Sequence, residues 1–465
     1  MQDQAITPYA PRHSIADYRK AADDCFAKFS FLYRWSGNFW RLGHSFDTAI
    51  DYLAEKGQPS PAIAFARDVL NAFEDTRGHW YDDYGWWGLA ASRAMARAPL
   101  FGTDLTGKFQ FVRDKCWAFM DKGDVGDMAI ECCKAQHPSN GVTMAGAPNV
   151  FEQARKVPNG DPGKLYDLLA PRFPGGVWNC DWSYTINSYN IPQMKWAEPC
   201  FCLPIYDLSN PNRQWAKDGL GGFQNTVTNA LYYNLAARVG AAAEAKRAYG
   251  FFDAWIKASD GPDDDGLIHS WKNNDGHVVG FIRERVPAYK SPKENVWAYR
   301  PKLAWAGDQG LVVAAFADYL QANPNDNDLR NLLQIRTAAL LRGALYYIAA
   351  KRKDGTGALV PGGRLRDWWD PNNPNAPGGD PSNYHTGSGV FWRSVKYAYD
   401  VDGGFKLLIP AIAGFKDFLA FNADAACDSA GQSLPEHVRS PDEALIAVTN
   451  DLATLMAGIR ILGGS

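Results

Sequence analysis

The sequence lacks an excess of charge of either sign and lacks a long apolar run. Its 48 Lys and Arg nearly balance its 51 Asp and Glu, which leaves a formal net charge of −3. No broad basic surface is predicted, and this argues against nucleic acid or acidic lipid as a partner. No stretch approaches the roughly 18 uninterrupted apolar residues of a membrane helix, so we expect no membrane insertion. The hydrophobic content of 46% still allows a sizeable core.

The first residues lack the features of a signal peptide. Met1–Ala5 contains neither a basic region nor an apolar one, and a secretory signal needs both. We expect a secreted or periplasmic protein from which such a signal has been removed, with a cytoplasmic protein as the alternative.

Cysteine is scarce, and its spacing fits no metal or redox site. The eight cysteines include no Cys-x-x-Cys pair, so zinc and dithiol sites are not predicted. Cys25 and Cys116 lie within helical patterns and are expected to be small buried hydrophobic residues. One or two disulfides remain an open alternative among the loop cysteines Cys132, Cys133, Cys180, Cys200 and Cys202.

The motifs of several common enzyme classes are also missing. The chain has no Gly-rich phosphate loop, no Gly-x-Ser-x-Gly and no His-Glu-x-x-His, which argues against nucleotide-binding, esterase and zinc-protease sites. The run Asp263-Asp264-Asp265-Gly266 resembles the start of a calcium loop, but the later Glu and the full spacing are absent, so we expect a solvated turn. We therefore predict neither a metal nor a cofactor.

Helical periodicity is what the chain does have. Apolar residues recur at three- and four-residue steps in about a dozen segments: 14–36, 44–56, 61–74, 83–98, 108–122, 222–239, 241–258, 306–322, 327–350, 387–400, 403–421 and 441–462. Helix-start signals occur at Ser14, Ser60-Pro61, Asp82 and Ser440-Pro441. Strand signals are scarce, and His277–Ile282 is expected to form one edge of a short hairpin.

Consecutive helices without a long polar linker predict one all-α domain over residues 1–465, a toroid of paired helices. Gly85 and Gly88 fall on one helix face with Ser92 and Met95, which would let a neighbouring helix approach closely. A solenoid is the competing architecture, although no repeat of fixed period is present.

Three long irregular regions, 123–221, 259–305 and 351–386, are expected to be functional, because structureless loops of this length are uncommon in compact domains. In a toroid they would gather at one end and form a cleft. They are rich in aromatic residues, which either pin the loops to the core or stack on sugar rings: Trp178, Trp182, Tyr184, Tyr189, Trp196, Trp271, Trp297, Trp305, Trp368, Trp369 and Tyr384.

Two adjacent acids, Asp82 and Asp83, stand among large aromatic residues at the start of a predicted helix. A glycosidase needs two carboxyl groups beside one glycosidic bond, about 5–5.5 Å apart in a retaining enzyme. Two like charges this close raise the pKa of one group, which can then act as an acid. The alternative is structural, because Asp is a preferred N-cap and suits the helix dipole.

The segment Tyr81-Asp82-Asp83-Tyr84-Gly85-Trp86-Trp87-Gly88-Leu89-Ala90 resembles the signature of glycoside hydrolase family 76, the endo-α-1,6-mannanases. Weaker similarities follow in the same order over about residues 60–450. They are Gly175-Gly176-Val177-Trp178, the helix from Gln224-Asn225 through Asn229 to Arg238, Gly266-Leu267-Ile268, and Asp308-Gln309-Gly310. Asp308 departs from the family pattern, which has Asn there, and about forty unfamiliar residues separate Gly176 from the Asn225 helix.

The resemblance implies an (α/α)6 barrel and a retaining hydrolase of α-mannosidic, α-1,6-mannan-like linkages that acts on an oligo- or polysaccharide. Asp82 would be the nucleophile and Asp83 the general acid/base. The expected substrate-binding residues are Tyr81, Trp86, Trp87, Trp178, Asn225, Asn229, Asp308 and Gln309. Several of these residues also have a structural alternative. Trp86 or Trp87 would be a core residue, and Asn225 and Asn229 would form a buried polar contact between helices. Asp308 and Gln309 would cap a helix.

Two other functions stay open. One is a relative that binds glycan without cleaving it. The other is a polysaccharide lyase or sugar epimerase of the same toroidal shape, for which the loop histidines His269 and His385 are the candidates.

Overall fold

The computed structural model describes residues 8–74, 80–123, 175–177, 225–258, 268–272, 278–284, 303–369, 382–432 and 440–464. The predictions for Trp178, for the loop cysteines from Cys132 to Cys202 and for Asp263–Gly266 concern residues outside these ranges.

The described chain is mostly helical. Its helices are α1 (Ile15–Trp35), α2 (Phe39–Lys56), α3 (Pro59–Ala72), α4 (Tyr81–Met95), α5 (Ala98–Phe101), α6 (Thr103–Met120), α7 (Thr226–Val239), α8 (Ala242–Ala258), α9 (Ala306–Ala322), α10 (Asn327–Gly343), α11 (Gly387–Val401), α12 (Gly403–Ala411), α13 (Phe415–Ala430) and α14 (Pro441–Leu462). A π-helical turn, Ala344–Ile348, extends α10, and short 3-10 turns lie at Asp121–Gly123 and Ser382–Thr386.

Six helices form a closed inner ring. In order around the ring they are α2, α4, α7, α9, α11 and α14, and α14 packs against α2 to close it. The helices between them in the chain (α1, α3, α6, α8, α10 and α13) pack on the outside, each against a ring helix. This alternation is the (α/α)6 toroid, and it confirms the expected fold class. The competing solenoid is wrong, because a solenoid would leave its first and last helices apart.

The six inner helices begin at one end of the ring, which we call the mouth. Thr226 N, at the start of α7, donates to Glu284 O, and Glu284 N donates to Leu303 O just before α9. At the other side of the ring, the Ser36 hydroxyl before α2 donates to Asp442 at the start of α14. Segments that precede inner helices therefore meet one another at the mouth.

Short strands lie on these same connections. β1 (Ile268–Lys272) and β2 (Val278–Ile282) form an antiparallel hairpin, which confirms the strand expected at His277–Ile282. β3 (Ala304–Trp305) pairs with β6 (Trp368–Trp369), so Trp305 lies opposite Trp368. A further pair, β4 (Arg352–Lys353) and β5 (Leu359–Val360), follows α10.

Local signals set several helix ends. Ser14 forms a capping box with Asp17, and Ser440 accepts a hydrogen bond from Glu443 N, both as expected. The start expected at Ser60-Pro61 is wrong, because α3 already begins at Pro59. The single helix expected over 403–421 is divided in two, since Gly414 adopts a left-handed conformation (φ 73°) before α13.

Small residues allow the inner helices to approach closely. A Cβ at Gly85 would lie 2.8 Å from Leu231 Cβ, and one at Gly88 would lie 2.7 Å from Leu235 Cδ2. Both leucines belong to α7, so this glycine face of α4 serves the close packing that the sequence predicts. Gly310 has the same role between α9 and α11, where a Cβ would lie 2.6 Å from Phe391 Cα.

One described helix, α14, is long and apolar enough to cross a membrane by length and composition alone. It is an inner helix that packs against α1, α2, α11 and α13, and 72% of its apolar window is buried in the protein. Its place in the core accounts for its composition.

Candidate functional site

The two adjacent acids lie at the mouth, in the first turn of α4. The helix begins at Tyr81 after the N-cap residue Trp80, whose side chain makes no capping bond. Asp82 is therefore not the N-cap, and the interpretation of the pair as a helix-capping residue and its neighbour is wrong. Asp83 N donates to Asp82 Oδ1 at 3.0 Å, which holds the Asp82 carboxyl beside its neighbour.

The surroundings favour a proton on Asp83. Burial raises the pKa of the Asp83 carboxyl well above its usual range, and the charge of Asp82 raises it further. The positive end of the α4 dipole acts in the opposite direction, but burial outweighs it. A protonated acid next to a second carboxyl group is the pair that general acid catalysis requires.

Trp86 forms a floor beneath the acids. It lies three residues after Asp83 and four after Asp82, on the same face of α4. It is 3% exposed and meets the ring of Trp305 edge to face at a centroid distance of 6.4 Å. Trp40 lies at 6.4 Å on another side. Aromatic side chains from α2, α4 and the start of α9 thus meet inside the ring below the mouth.

Two residues from the interior of the ring lie directly below Trp86. The His44 ring contacts Trp86 edge to face at 5.5 Å, and the Arg393 guanidinium lies 5.7 Å from its ring centre. Burial, and then the charge of Arg393, lower the pKa of His44 well below its usual value, so the imidazole is neutral. Sequence reasoning missed both residues, which lie in the middle of helices and far from the acids along the chain.

Trp87 and Tyr81 are packed into the protein. Trp87 Nε1 donates to Phe39 O at 2.8 Å, and a Cβ at Gly43 would lie 2.7 Å from Trp87 Cδ1, so this indole joins α2 to α4. Tyr81 is 2% exposed and packs on Phe119 at a centroid distance of 5.1 Å.

The two asparagines of α7 bind protein backbone. Asn225 is the N-cap and accepts from Thr228 N. Asn229 Oδ1 accepts from Val177 N at 2.7 Å, and its Nδ2 donates to Val177 O and Asn225 O at 3.1 and 2.8 Å. Two segments of the family resemblance, residues 175–177 and the α7 helix, are therefore in direct contact.

The pair Asp308-Gln309 lies in the first turn of α9, and both side chains are fully buried. Gln309 Oε1 accepts from Ile282 N at 2.7 Å. Gln309 Nε2 donates to Ile282 O at 2.7 Å and to Trp305 O at 3.0 Å. The N-cap of α9 is Trp305, so the expectation that this pair caps the helix is wrong.

A further acid at the mouth, Asp367, was not singled out from the sequence. Its carboxyl Oδ1 accepts from Ser388 N at 2.8 Å and from Ser388 Oγ at 2.7 Å at the start of α11. Burial raises the pKa of Asp367 to about 6, against the effect of these hydrogen bonds. In the sequence, Asp367 could have been recognised as a candidate by its position between a basic residue, Arg366, and two tryptophans, Trp368 and Trp369.

The two loop histidines occupy different elements. His269 lies in β1, where its backbone pairs with Phe281 of β2. His385 lies in the turn before α11, is exposed, and accepts from Asn450 Nδ2 through its backbone oxygen at 2.7 Å. Within the described ranges, no group of three His, Cys, Asp or Glu residues could hold a metal ion.

Comparisons with known proteins identify structures that share this fold. No family model matches the sequence, and no curated protein sequence is significantly similar to it. Among solved structures, it is similar to a family 76 α-1,6-mannanase from a Salegentibacter species, at 13% identity and a TM-score of 0.50, over 95% of this chain and 98% of that one.

Two further structures are similar over nearly the whole chain. A variant of the same mannanase, in which two consecutive aspartates are replaced by asparagine, is inactive and was solved in complex with α-1,6-mannotriose. It has 12% identity and a TM-score of 0.51, over 96% of this chain and 99% of that one. A protein from Listeria innocua has 12% identity and a TM-score of 0.50, over 95% of this chain and 96% of that one. The resemblance to glycoside hydrolase family 76 is thus confirmed at the level of the fold, the helical toroid.

Proposed function

We propose that this protein is a retaining glycoside hydrolase that cleaves α-mannosidic, α-1,6-mannan-like linkages. The observation that carries the proposal is the pair Asp82 and Asp83, which lies above Trp86 at the mouth of the toroid. The pKa of Asp83 is raised, so this residue can supply the proton. The inactive double-aspartate variant of the similar mannanase, which holds α-1,6-mannotriose, supports the same chemistry.

The proposed reaction has two steps. Asp83 donates its proton to the glycosidic oxygen while an Asp82 carboxylate oxygen attacks the anomeric carbon, so the leaving sugar departs with a hydroxyl group. The Asp83 carboxylate then takes a proton from water, and the resulting hydroxide displaces Asp82 from the anomeric carbon. Two inversions at one carbon give net retention.

Some of the proposed substrate-binding residues contact the sugar, and the others position the chain segments that contact it. Trp86 offers the floor of the site, and Tyr81 and Trp87 keep the start of α4 in place. Asn225 and Asn229 support the segment 175–177, and the next residue, Trp178, is proposed to contact the sugar. Gln309 holds Ile282 of β2 against the start of α9, where Asp308 is buried, and this pair is proposed to support the substrate site from within the protein. A polymeric substrate of this kind fits a secreted or periplasmic enzyme.

The test is product release from α-1,6-mannan oligosaccharides by the wild type, Asp82→Asn and Asp83→Asn, with the exposed Asp68→Asn as control. We expect short mannosides from the wild type and from Asp68→Asn. Each site variant should lose at least about 10³-fold in kcat, the order of effect seen when a catalytic group is removed. The anomeric configuration of the first product, followed by NMR, should be α.

Three outcomes would contradict the proposal. Full activity in either site variant would remove that aspartate from the chemistry. Tight binding of mannosides without turnover by the wild type would point to a non-catalytic relative. An unsaturated product absorbing in the ultraviolet, or an isomerised free sugar, would identify a lyase or an epimerase.

A further inference from the structure

Asp367 joins the beginnings of two neighbouring inner helices. Its backbone oxygen accepts from Ala306 N, the first residue of α9, at 2.8 Å. Its carboxyl Oδ1 accepts two hydrogen bonds from Ser388 at the start of α11. A Cβ at Gly387 would lie 2.1 Å from Asp367 O, so only glycine allows this close approach. The position of the carboxyl group is therefore fixed by the protein.

These contacts use only one of the two carboxyl oxygens. Oδ2 of Asp367 has no hydrogen-bond partner in the part of the chain that the structure describes, and the residue is partly exposed. Both hydrogen bonds from Ser388 converge on Oδ1. The second oxygen thus stays available at the mouth, in a carboxyl group that cannot rotate freely.

The surroundings of this oxygen belong to the same site as the paired acids. Trp368, the next residue, lies opposite Trp305 in the β3–β6 pair, and Trp305 contacts Trp86 below Asp83. In the ring, α11 is three positions from α4 in either direction. Asp367 therefore lies across the mouth from the paired acids.

We propose that Asp367 is a substrate-binding residue whose Oδ2 accepts hydrogen bonds from the hydroxyl groups of a neutral hexose unit. An ionised carboxylate only accepts hydrogen bonds, and charged acceptors bind hydroxyl donors more strongly than neutral ones. The neighbouring Trp368, which is partly exposed, supplies apolar surface for the face of the same ring. This proposal rests on the proposed glycosidase function and adds a position at which the enzyme recognises the sugar units beside the cleaved bond.

Asp367→Asn tests the role with little structural change. An asparagine oxygen can still accept both bonds from Ser388, but it then presents an amide donor where the free acceptor was. We expect KM for α-1,6-mannan oligosaccharides to rise at least about tenfold, with kcat within about threefold and the melting temperature unchanged. The matched control is Asp326→Asn, an aspartate that caps α10 by accepting from Leu329 N. It lies beyond the end of α9 remote from the mouth, and its KM should not change.

Binding separates this proposal from the proposed function. Calorimetry with α-1,6-mannotriose should show weakened binding in Asp367→Asn, whereas Asp82→Asn should bind the sugar and fail to cleave it. An unchanged KM and an unchanged dissociation constant in Asp367→Asn would overturn the role of Asp367 even if the enzyme is a mannanase. A wild type that neither binds nor cleaves mannosides would overturn both proposals.

Discussion

Asp83 occupies a position where two effects on a carboxyl group oppose each other. The start of α4 favours an anion through the helix dipole. Burial and the charge of Asp82 favour the neutral acid, and they prevail because the pKa of Asp83 is raised well above its usual range. An acid whose pKa is higher in the folded state than in the unfolded state costs stability when it is ionised. The raised pKa of Asp83, which the proposed function needs, therefore lowers the stability of the fold.

Asp83→Asn is expected to stabilise the protein in a pH-dependent way. Below the unfolded-state pKa, near 4, Asp83 is protonated in both states and the substitution should change little. As the pH rises toward the folded-state pKa, the wild type loses stability and the variant does not. We expect a gain of about 1 kcal/mol or more at pH 8, measured as the free energy of unfolding in urea at pH 3.5 and pH 8.

The control for this prediction is Asp68→Asn. Asp68 pairs with Arg34 on the surface, and an exposed pair contributes ~0–1 kcal/mol. If Asp83→Asn changes the free energy of unfolding equally at both pH values, ionisation of the buried Asp83 carboxyl does not destabilise the wild type.

At the scale of secondary-structure elements, three amide side chains attach a neighbouring segment of the chain to a helix in the same way. Asn229 of α7 binds Val177, Gln309 of α9 binds Ile282, and Asn422 of α13 accepts from Leu365 N and donates to Gly363 O. Each amide also donates to the backbone oxygen of the residue four positions before it. The Asn-x₃-Asn and Asp-Gln-Gly motifs therefore describe attachments of loops as well as candidate binding residues.

Asn229→Ala should release the segment 175–177 from α7 and weaken substrate binding. The loss of three buried hydrogen bonds is expected to cost about 2–3 kcal/mol of stability. If Trp178 contacts sugar as proposed, KM should rise as well. The readouts are urea unfolding and KM for α-1,6-mannan oligosaccharides.

Asn234→Ala is the matched control on the same helix. Its amide binds Ala230 O and Leu311 O inside the helix layer, so its loss should lower stability without changing KM. Equal changes of KM in the two variants would contradict a specific role for the attached segment.

At the scale of the whole molecule, the axis of the ring below the aromatic floor is filled by ion pairs. Asp47 of α2 binds Arg93 of α4 at 2.7 Å and Arg393 of α11 at 2.9 Å. Asp51 also binds Arg93, and it binds Lys396 at 2.9 Å. Three helices from different parts of the chain are thus tied together across the axis. Charged groups buried this deeply depend on their partners, so the loss of one carboxylate leaves cations uncompensated.

Asp51→Asn is expected to destabilise the protein by roughly 3 kcal/mol at pH 7, because Arg93 and Lys396 lose a buried counter-charge. Burial alone raises the pKa of Asp51, but the charges of Arg93 and Lys396 outweigh it and lower the pKa. The stability from Asp51 is therefore present above the unfolded-state pKa, near 4, and is lost as the pH falls through the folded-state pKa.

The measurement is the free energy of unfolding of both proteins from pH 7 down to pH 2.5. The difference between wild type and Asp51→Asn should shrink below pH 4. A difference that stays constant over this range would show that the substitution acts through packing and not through charge.

The sequence by itself determined the helices, the toroid that they form and the pair of acids that we propose as catalytic. These features depend on residues close together in the chain: the three- and four-residue periodicity, caps such as Ser14 and Ser440, and the run around Asp82 and Asp83. The closely packed face at Gly85 and Gly88 could be predicted for the same reason.

Only the tertiary structure decided which side chains meet inside the ring. Trp86 and Trp87 are indistinguishable as neighbours in sequence, but they point about 100° apart around the helix, and the position of the ring axis made Trp86 the floor and Trp87 a core residue. Asp367 reaches the site from the segment before β6 and Arg393 reaches it from α11, both far along the chain from Asp82 and Asp83. Arg393 is buried against His44, hundreds of positions away, and Asp367 is held by the starts of α9 and α11. No local pattern encodes that burial, because it exists only once the ring has closed.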